Sequence, residues 1–414
     1  MSHIRYIKGT LYIEETPVAR IAEQYGTPLF VYSKAGILEQ YHKLRSALSE
    51  IEPLICYAVK ANTTGAIISL LAREGAGADI VSGGELYRAL RAGVPASKIV
   101  FAGVGKTHAE IEYAIKSDIF SFTVESVPEA IRISSIAKKL GAIARIMLRV
   151  NPEVDANTHH YIMTGTHENK FGILLTEISS AFDYVSTLPS IEVIGIHMHI
   201  GSQILSIEPF MKAVSRVMDL CCELKRKIKT FRYIDVGGGL GIAYRPGEQD
   251  ISPASYASAV VPLIKKMGLS MIIEPGRYLV GNAGLLVCEV QYIKKGRDKT
   301  FIIVNAGMND LIRPALYGAY HHVLSVRETD ATIKGDVVGP ICESGDFFAQ
   351  DRELPAVSEG DLLAITGAGA YGSIMSSNYN SRPRAGEVLV DGKDVYLIKK
   401  SETWEDLVAK EVIP

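Results

Sequence analysis

Five short stretches of the chain end in residues that can do chemistry. Tyr57-Ala58-Val59-Lys60-Ala61-Asn62 closes an apolar run with a lysine, and Asp79 and Ser82 flank the end of another. His197-Met198-His199-Ile200-Gly201-Ser202 carries two imidazoles and a hydroxyl, and Asp235-Val236-Gly237-Gly238-Gly239 a carboxylate and three glycines. Glu274-Pro275-Gly276-Arg277 adds a second carboxylate and a guanidinium. A lysine directly after a buried run is expensive to desolvate, so its pKa falls, which suits an amine that forms a Schiff base. The plainer alternative for Lys60 is a side chain that snorkels out to solvent. Three consecutive glycines present bare backbone N–H groups to an anion, or they simply make a tight turn. Two familiar phosphate motifs fail: GxGxxG from Gly237 would need glycine where Ile242 stands, and a P-loop ending at Gly105-Lys106-Thr107 would need it at Val100.

His197-x-His199 on a strand would turn both imidazoles to one face, the spacing of a metal pair, although no third ligand has an obvious place at a strand end. An imidazole can also pack flat on a cofactor ring or be a hydrogen-bonded core residue. Glu274 beside Arg277 reads as a buried ion pair or as a carboxylate that keeps a ring nitrogen protonated. An amine, an anion cradle and a ring-nitrogen carboxylate are together the parts of a pyridoxal 5'-phosphate site.

These residues must be positioned by something, and the surrounding pattern says what. Eight short β-branched runs recur: Leu54–Val59, Ala78–Val81, Ile99–Ala102, Ile119–Val124, Ile143–Val150, Val193–Ile200, Tyr233–Val236 and Ser270–Ile273. Amphipathic helical segments such as Pro128–Leu140 and Pro209–Lys227 lie between them. Alternation of this kind implies parallel strands with crossover helices, and the count of eight favours an α/β fold of the closed (β/α)8 barrel type over an open sheet. Active-site residues of such barrels lie at the C-terminal strand ends, where all five stretches fall. After about residue 280 the texture becomes strand-like, in Leu285–Ile293, Phe301–Val304, Thr332–Val338, Asp361–Thr366, Glu387–Val390 and Val395–Ile398. We therefore expect a barrel over residues 33–280 and a mostly β second domain from residues 1–32, where Tyr6–Ile13 is strand-like, and 281–414. The long stretch 151–172 reads as a lid over the barrel mouth or a plain surface insertion.

Composition excludes several classes. The 414 residues are 47% hydrophobic and 22% charged, ordinary for a globular chain, with a net charge of −2 that argues against general nucleic-acid binding. Five dilute cysteines without CxxC spacing suggest neither disulfides nor structural zinc. No signal peptide or membrane-length apolar run is apparent, so a cytoplasmic enzyme is expected.

Over nearly its whole length the chain resembles the fold-type III, alanine-racemase-like pyridoxal-phosphate decarboxylases, most closely the branch that acts on meso-diaminopimelate. Tyr57–Asn62 is similar to that family's cofactor-lysine motif, His199–Ser202 to its ring-stacking and phosphate segment, Asp235–Gly241 to its glycine loop and Glu274–Arg277 to its pyridinium motif. In the second domain Leu311–Tyr317 resembles the substrate segment and Cys342-Glu343-Ser344-Gly345-Asp346 the contribution of a partner subunit. Ala370-Tyr371-Gly372 and Asn378–Arg384 extend the match. Val104 departs from the asparagine of many relatives, and Cys221-Cys222 matches no motif and is expected to pack in a helix.

The resemblance implies roles that spacing does not show. Lys60 would carry the cofactor. His199, Ser202, Gly237, Gly238, Gly239, Glu274, Arg277 and Tyr371 would hold it. Arg277, Arg313, Tyr317, Glu343 and Tyr371 would bind substrate, with Arg277 open between substrate carboxylate and cofactor phosphate. Cys342 would act as an acid across a homodimer interface. Glu274, where alanine racemase has arginine, argues for decarboxylation over racemisation. Decarboxylases of ornithine, arginine or carboxynorspermidine, and a metal-dependent hydrolase using His197 and His199, are the rivals. No metal is expected.

Overall fold

The computed structural model describes residues 3–155 and 170–414. It divides into two compact units, one of Tyr41–Ile242 with Gln249–Tyr278, the other of Met1–Gln40, Ala243–Glu248 and Leu279–Pro414.

The first unit is a closed parallel barrel of β1 (Leu54–Ala58), β2 (Gly77–Ile80), β3 (Ile99–Phe101), β4 (Ser121–Val124), β5 (Ala144–Asn151), β6 (Ile191–His197), β7 (Tyr233–Asp235) and β8 (Ser270–Ile273). Each strand pairs in parallel with the next, and β8 pairs with β1 to close the ring. All eight runs read from the sequence are strands. Burial on both faces explains why they are nearly unbroken apolar runs rather than alternating ones. Cys56, Val100, Met147, Ile194 and Ile272, one from each of five strands, pack together as a buried apolar cluster.

Local signals set the crossover helices. Val127–Leu140 starts where Ser126 accepts the Glu129 N–H and Pro128 occupies the first turn, and it stops at Gly141 in the left-handed region (φ 65°). Glu208–Lys227 buries Phe210, Ala213, Val214, Val217, Cys221 and Leu224, a helical spacing that accounts for Cys221 as packing.

In the second unit, strands run in the order Phe347–Pro355, Thr332–Val338, Thr300–Val304, Gly284–Lys295, Leu29–Ser33, Gly386–Asp391 and Asp394–Lys399. Leu362–Ile365 joins Gly284–Lys295 to Val323–Ser325. The opening stretch read as one strand is a hairpin, Ile4–Ile7 with Thr10–Ile13, because Lys8 and Gly9 both take positive φ (49° and 75°). Further strands lack a sequence signal, the two-residue Thr16–Pro17 among them. Val323–Ser325 is very short, Leu29–Ser33 precedes the repeating pattern, and Phe347–Pro355 is an edge strand whose Gln-Asp-Arg-Glu run hides its period. Among the described residues no helix is long and apolar enough to cross a membrane. Most of the lid expected at 151–172 lies outside the described residues.

Candidate active site

Lys60 sits in the single helical turn Val59–Ala61 that follows β1, and its Nζ donates to Asp79 Oδ2 at the end of β2, 2.5 Å away. Asp79 is fully buried. Burial, helped by the Glu274 charge, pushes its carboxyl up to about 7 against the pull of Lys60. Glu274, just past β8, is buried too, but His197 beside it, with Lys60 and His199, outweighs burial and draws its carboxyl down to about 2. Asp235, at the end of β7, is pushed well up by burial and then by Glu274. Glu274 is therefore the ionised member of the cluster and Asp235 the one that keeps its proton. His197 Nε2 lies 3.3 Å from Glu274 Oε2, and one ligand-capable atom each from His197, Asp235 and Glu274 fall within 4.8 Å of one another.

β6 ends at His197, so strand alternation no longer governs His199. The Gly238 N–H donates to His199 Nδ1 at 3.1 Å. Burial, then the charges of Arg149 and Lys60, holds this imidazole well below its usual pKa, so it is neutral. The glycine segment is fixed from beneath, where Asp235 Oδ1 accepts the Gly237 N–H at 2.9 Å. Gly237 takes φ 67°, and a Cβ there would stand 2.5 Å from the Met198 carbonyl oxygen. A Cβ on Gly238 would stand 2.3 Å from the Glu274 carbonyl oxygen, so neither position admits a side chain. Arg277 Nη2 donates to Ser202 Oγ at 3.0 Å. Lys60, His199, Ser202, Gly237, Gly238, Gly239, Glu274 and Arg277 are thus brought to the same strand ends.

The second unit holds its predicted residues at three places. Arg313 opens the short helix Arg313–Tyr317, which Gly318 ends in the left-handed region. Its guanidinium is buried 4.7 Å over the Tyr244 ring, with Nη1 3.0 Å from His321 Nε2, and Tyr317 is half-buried on the same helix. Cys342 and Glu343 are exposed on a loop that Asp346 braces, Oδ2 accepting the Ile341 N–H at 2.7 Å. The Cys342 N–H donates to Asn380 Oδ1 at 2.8 Å, and the Tyr379 hydroxyl donates to Glu343 Oε2 at 2.8 Å. Tyr371 is half-buried with φ 56°, an uncommon backbone state for a bulky residue.

The barrel-mouth residues fit pyridoxal phosphate. They provide an amine, a run of glycines packed so closely on the neighbouring backbone that their N–H groups carry no side chain over them, and the buried Glu274, whose Oε1 has no hydrogen-bond partner among the described residues. The family model for the pyridoxal-dependent decarboxylase pyridoxal-binding domain matches residues 34–281.

The chain belongs to the pyridoxal-dependent decarboxylases.

Its relatives in that family include the diaminopimelate decarboxylase of Aquifex aeolicus, 48% identical over 98% of this chain and 96% of that protein. Among solved structures, diaminopimelate decarboxylase of Helicobacter pylori complexed with L-lysine is 42% identical, with a TM-score of 0.91 over 94% of this chain and 98% of that one. The M. jannaschii enzyme, in co-complex with L-lysine, is 39% identical, with a TM-score of 0.95 over 100% and 98%.

Several residues of this pyridoxal-dependent decarboxylase escaped functional assignment in the sequence. Asp79 and Asp235 were visible as polar strand ends, but their parts depend on contacts with Lys60 and Gly237. Arg149, inside β5, is buried with Nη1 2.9 Å from Glu125 Oε1, and Glu125 Oε2 accepts the Gly172 N–H at 2.8 Å. Its signal was a cation within an apolar run. His321 and Tyr244 carried none, since only the fold brings them to Arg313.

Proposed function

We propose that the chain catalyses the pyridoxal-phosphate-dependent decarboxylation of meso-2,6-diaminopimelate to L-lysine and carbon dioxide, the last step of lysine biosynthesis. The observation that carries the reading is the convergence of Lys60, the Gly237–Gly239 cradle and buried Glu274 at the mouth of a barrel whose full-length relatives are diaminopimelate decarboxylases.

Bound pyridoxal phosphate supplies an electron sink for the pair left on Cα when the carboxylate departs as carbon dioxide. Lys60 anchors the cofactor through its amine, and Asp79 stands by as the partner of that amine. Glu274, ionised through His197, keeps the ring nitrogen protonated. His199, neutral through burial, would help hold the ring without adding a second positive charge beside the ring nitrogen. Gly237, Gly238, Gly239 and Ser202 take the phosphate. Arg277 is assigned to the phosphate side as well, which its hydrogen bond to Ser202 supports over a substrate carboxylate.

The substrate has two amino-acid ends, one cleaved and one gripped. Arg313 takes the distal carboxylate with Tyr317 beside it, as a planar guanidinium suits a carboxylate. Glu343 takes the distal ammonium, and Tyr371 borders cofactor and substrate. Cys342 delivers the proton that Cα needs after carbon dioxide leaves. Its exposure in the single chain is consistent with a thiol that serves a second copy in a homodimer.

The test is carbon dioxide release and lysine formation from meso-diaminopimelate, with and without added pyridoxal phosphate, against ornithine, arginine and carboxynorspermidine. Cofactor-dependent release from diaminopimelate above all others supports the reading. Preference for another amine, or turnover that follows a stoichiometric divalent metal, overturns it.

A further inference from the structure

We propose that His321 is a positioning residue that aims Arg313 and so sets the enzyme's demand for a carboxylate at the far end of the substrate. This rests on the assignment of Arg313 to that carboxylate.

Two contacts fix the tautomer of His321. Its Nδ1 lies 2.8 Å from the Thr366 carbonyl oxygen, which can only accept, so Nδ1 carries the hydrogen. Nε2 then offers a lone pair to Arg313 Nη1 at 3.0 Å. An imidazolium, a donor at both nitrogens, would meet the guanidinium donor to donor, so the neutral ring is the only form this arrangement accepts. The consequence is specific to histidine. A carboxylate in this place would hold Arg313 as firmly but would cancel its charge. A neutral acceptor fixes the direction of the guanidinium without cancelling its positive charge.

The acceptor is itself held. His321 is fully buried, and its ring meets Tyr244 edge-on, with centroids 5.3 Å apart at 73°. Tyr244 in turn underlies the Arg313 guanidinium at 4.7 Å, so the three side chains close on one another. Gly367 makes room for the tyrosine, since a Cβ there would stand 2.9 Å from Tyr244 Cε1. The backbone is clamped as well: Arg352 Nη1 donates to the His321 carbonyl oxygen at 2.8 Å, and the Thr366 N–H donates to the His322 carbonyl oxygen at 2.9 Å.

Holoenzyme kinetics on meso-diaminopimelate for His321→Asn and His321→Gln test the proposal, with Arg313→Ala as reference and thermal melting of each. Asparagine keeps a donor near the Nδ1 position and removes the acceptor, whereas glutamine can set an amide oxygen near the Nε2 position. The expected result is a KM raised about tenfold in His321→Asn, with kcat within about twofold, and recovery to within about threefold in His321→Gln. A KM unchanged in both variants, or a loss that follows melting temperature equally in both, overturns it. If Arg313→Ala itself leaves KM unchanged, the assignment of Arg313 falls, a failure distinct from that of His321.

Discussion

At the barrel mouth Lys60, Asp79, His197, Asp235 and Glu274 are buried or half-buried, and burial and the neighbouring charges shift the three carboxyls among them, whereas Cys342 and Glu343 of the second unit stand exposed on a loop held through its backbone, Asn380 and Tyr379. The difference is one of completeness. Buried charges survive only when paired, so the barrel cluster has to be assembled within one chain. An exposed thiol has no such partner set, and its use as an acid requires something to cover it. The contrast predicts that barrel substitutions abolish cofactor chemistry chain by chain, while loop substitutions can be rescued by another chain.

The largest effect is expected at Lys60. Lys60→Ala should lower carbon dioxide release by on the order of 10⁴-fold or more, with loss of the covalent cofactor signal, since a group that forms the bond has no substitute. Cys342→Ala should cost about 10²- to 10⁴-fold in kcat, the range for a removed general acid, while cofactor binding stays intact. Mixing the two inactive variants sharpens the comparison. Recovered activity after subunit exchange would place Cys342 of one copy with Lys60 of another, and an inactive mixture would break the contrast between the two regions.

A smaller effect should appear in stability. The folded Asp79 carboxyl, at about 7, holds a proton that its unfolded counterpart releases near its ordinary value of 3.8. Its contribution is fully present below about 4 and is lost as pH rises toward 7. Asp79→Asn removes that loss, so in the cofactor-free chain the melting temperature of the variant should decline less over that range than that of the parent. Parallel curves would mean that Asp79 is ionised in the fold. The smallest effect is expected on an outer helix of the barrel, where Lys116 pairs with Glu112 one turn away. Lys116→Gln should leave kcat and KM unchanged and shift stability by roughly 0.2–0.5 kcal/mol, read by denaturant melts.

The barrel and much of its site were legible because one physical rule writes both. A strand buried on two faces is an apolar run, and a polar residue that ends such a run stands at the mouth, as Lys60, Asp235 and Glu274 do. What the pattern withheld were pairings. Asp79 acquires its part from a lysine 19 residues away, and His321 from an arginine and a tyrosine that only the second unit brings together. The part assigned to Cys342 came from resemblance alone, because an exposed loop leaves no burial pattern to read. Phe347–Pro355 went unseen for the opposite reason, as an edge strand tolerates charges that mask its period.

The most direct measurement is borohydride reduction of the active enzyme, followed by peptide mass mapping. The account predicts a single phosphopyridoxyl group, on Lys60. Active protein that carries the group on another residue, or carries none, would contradict it.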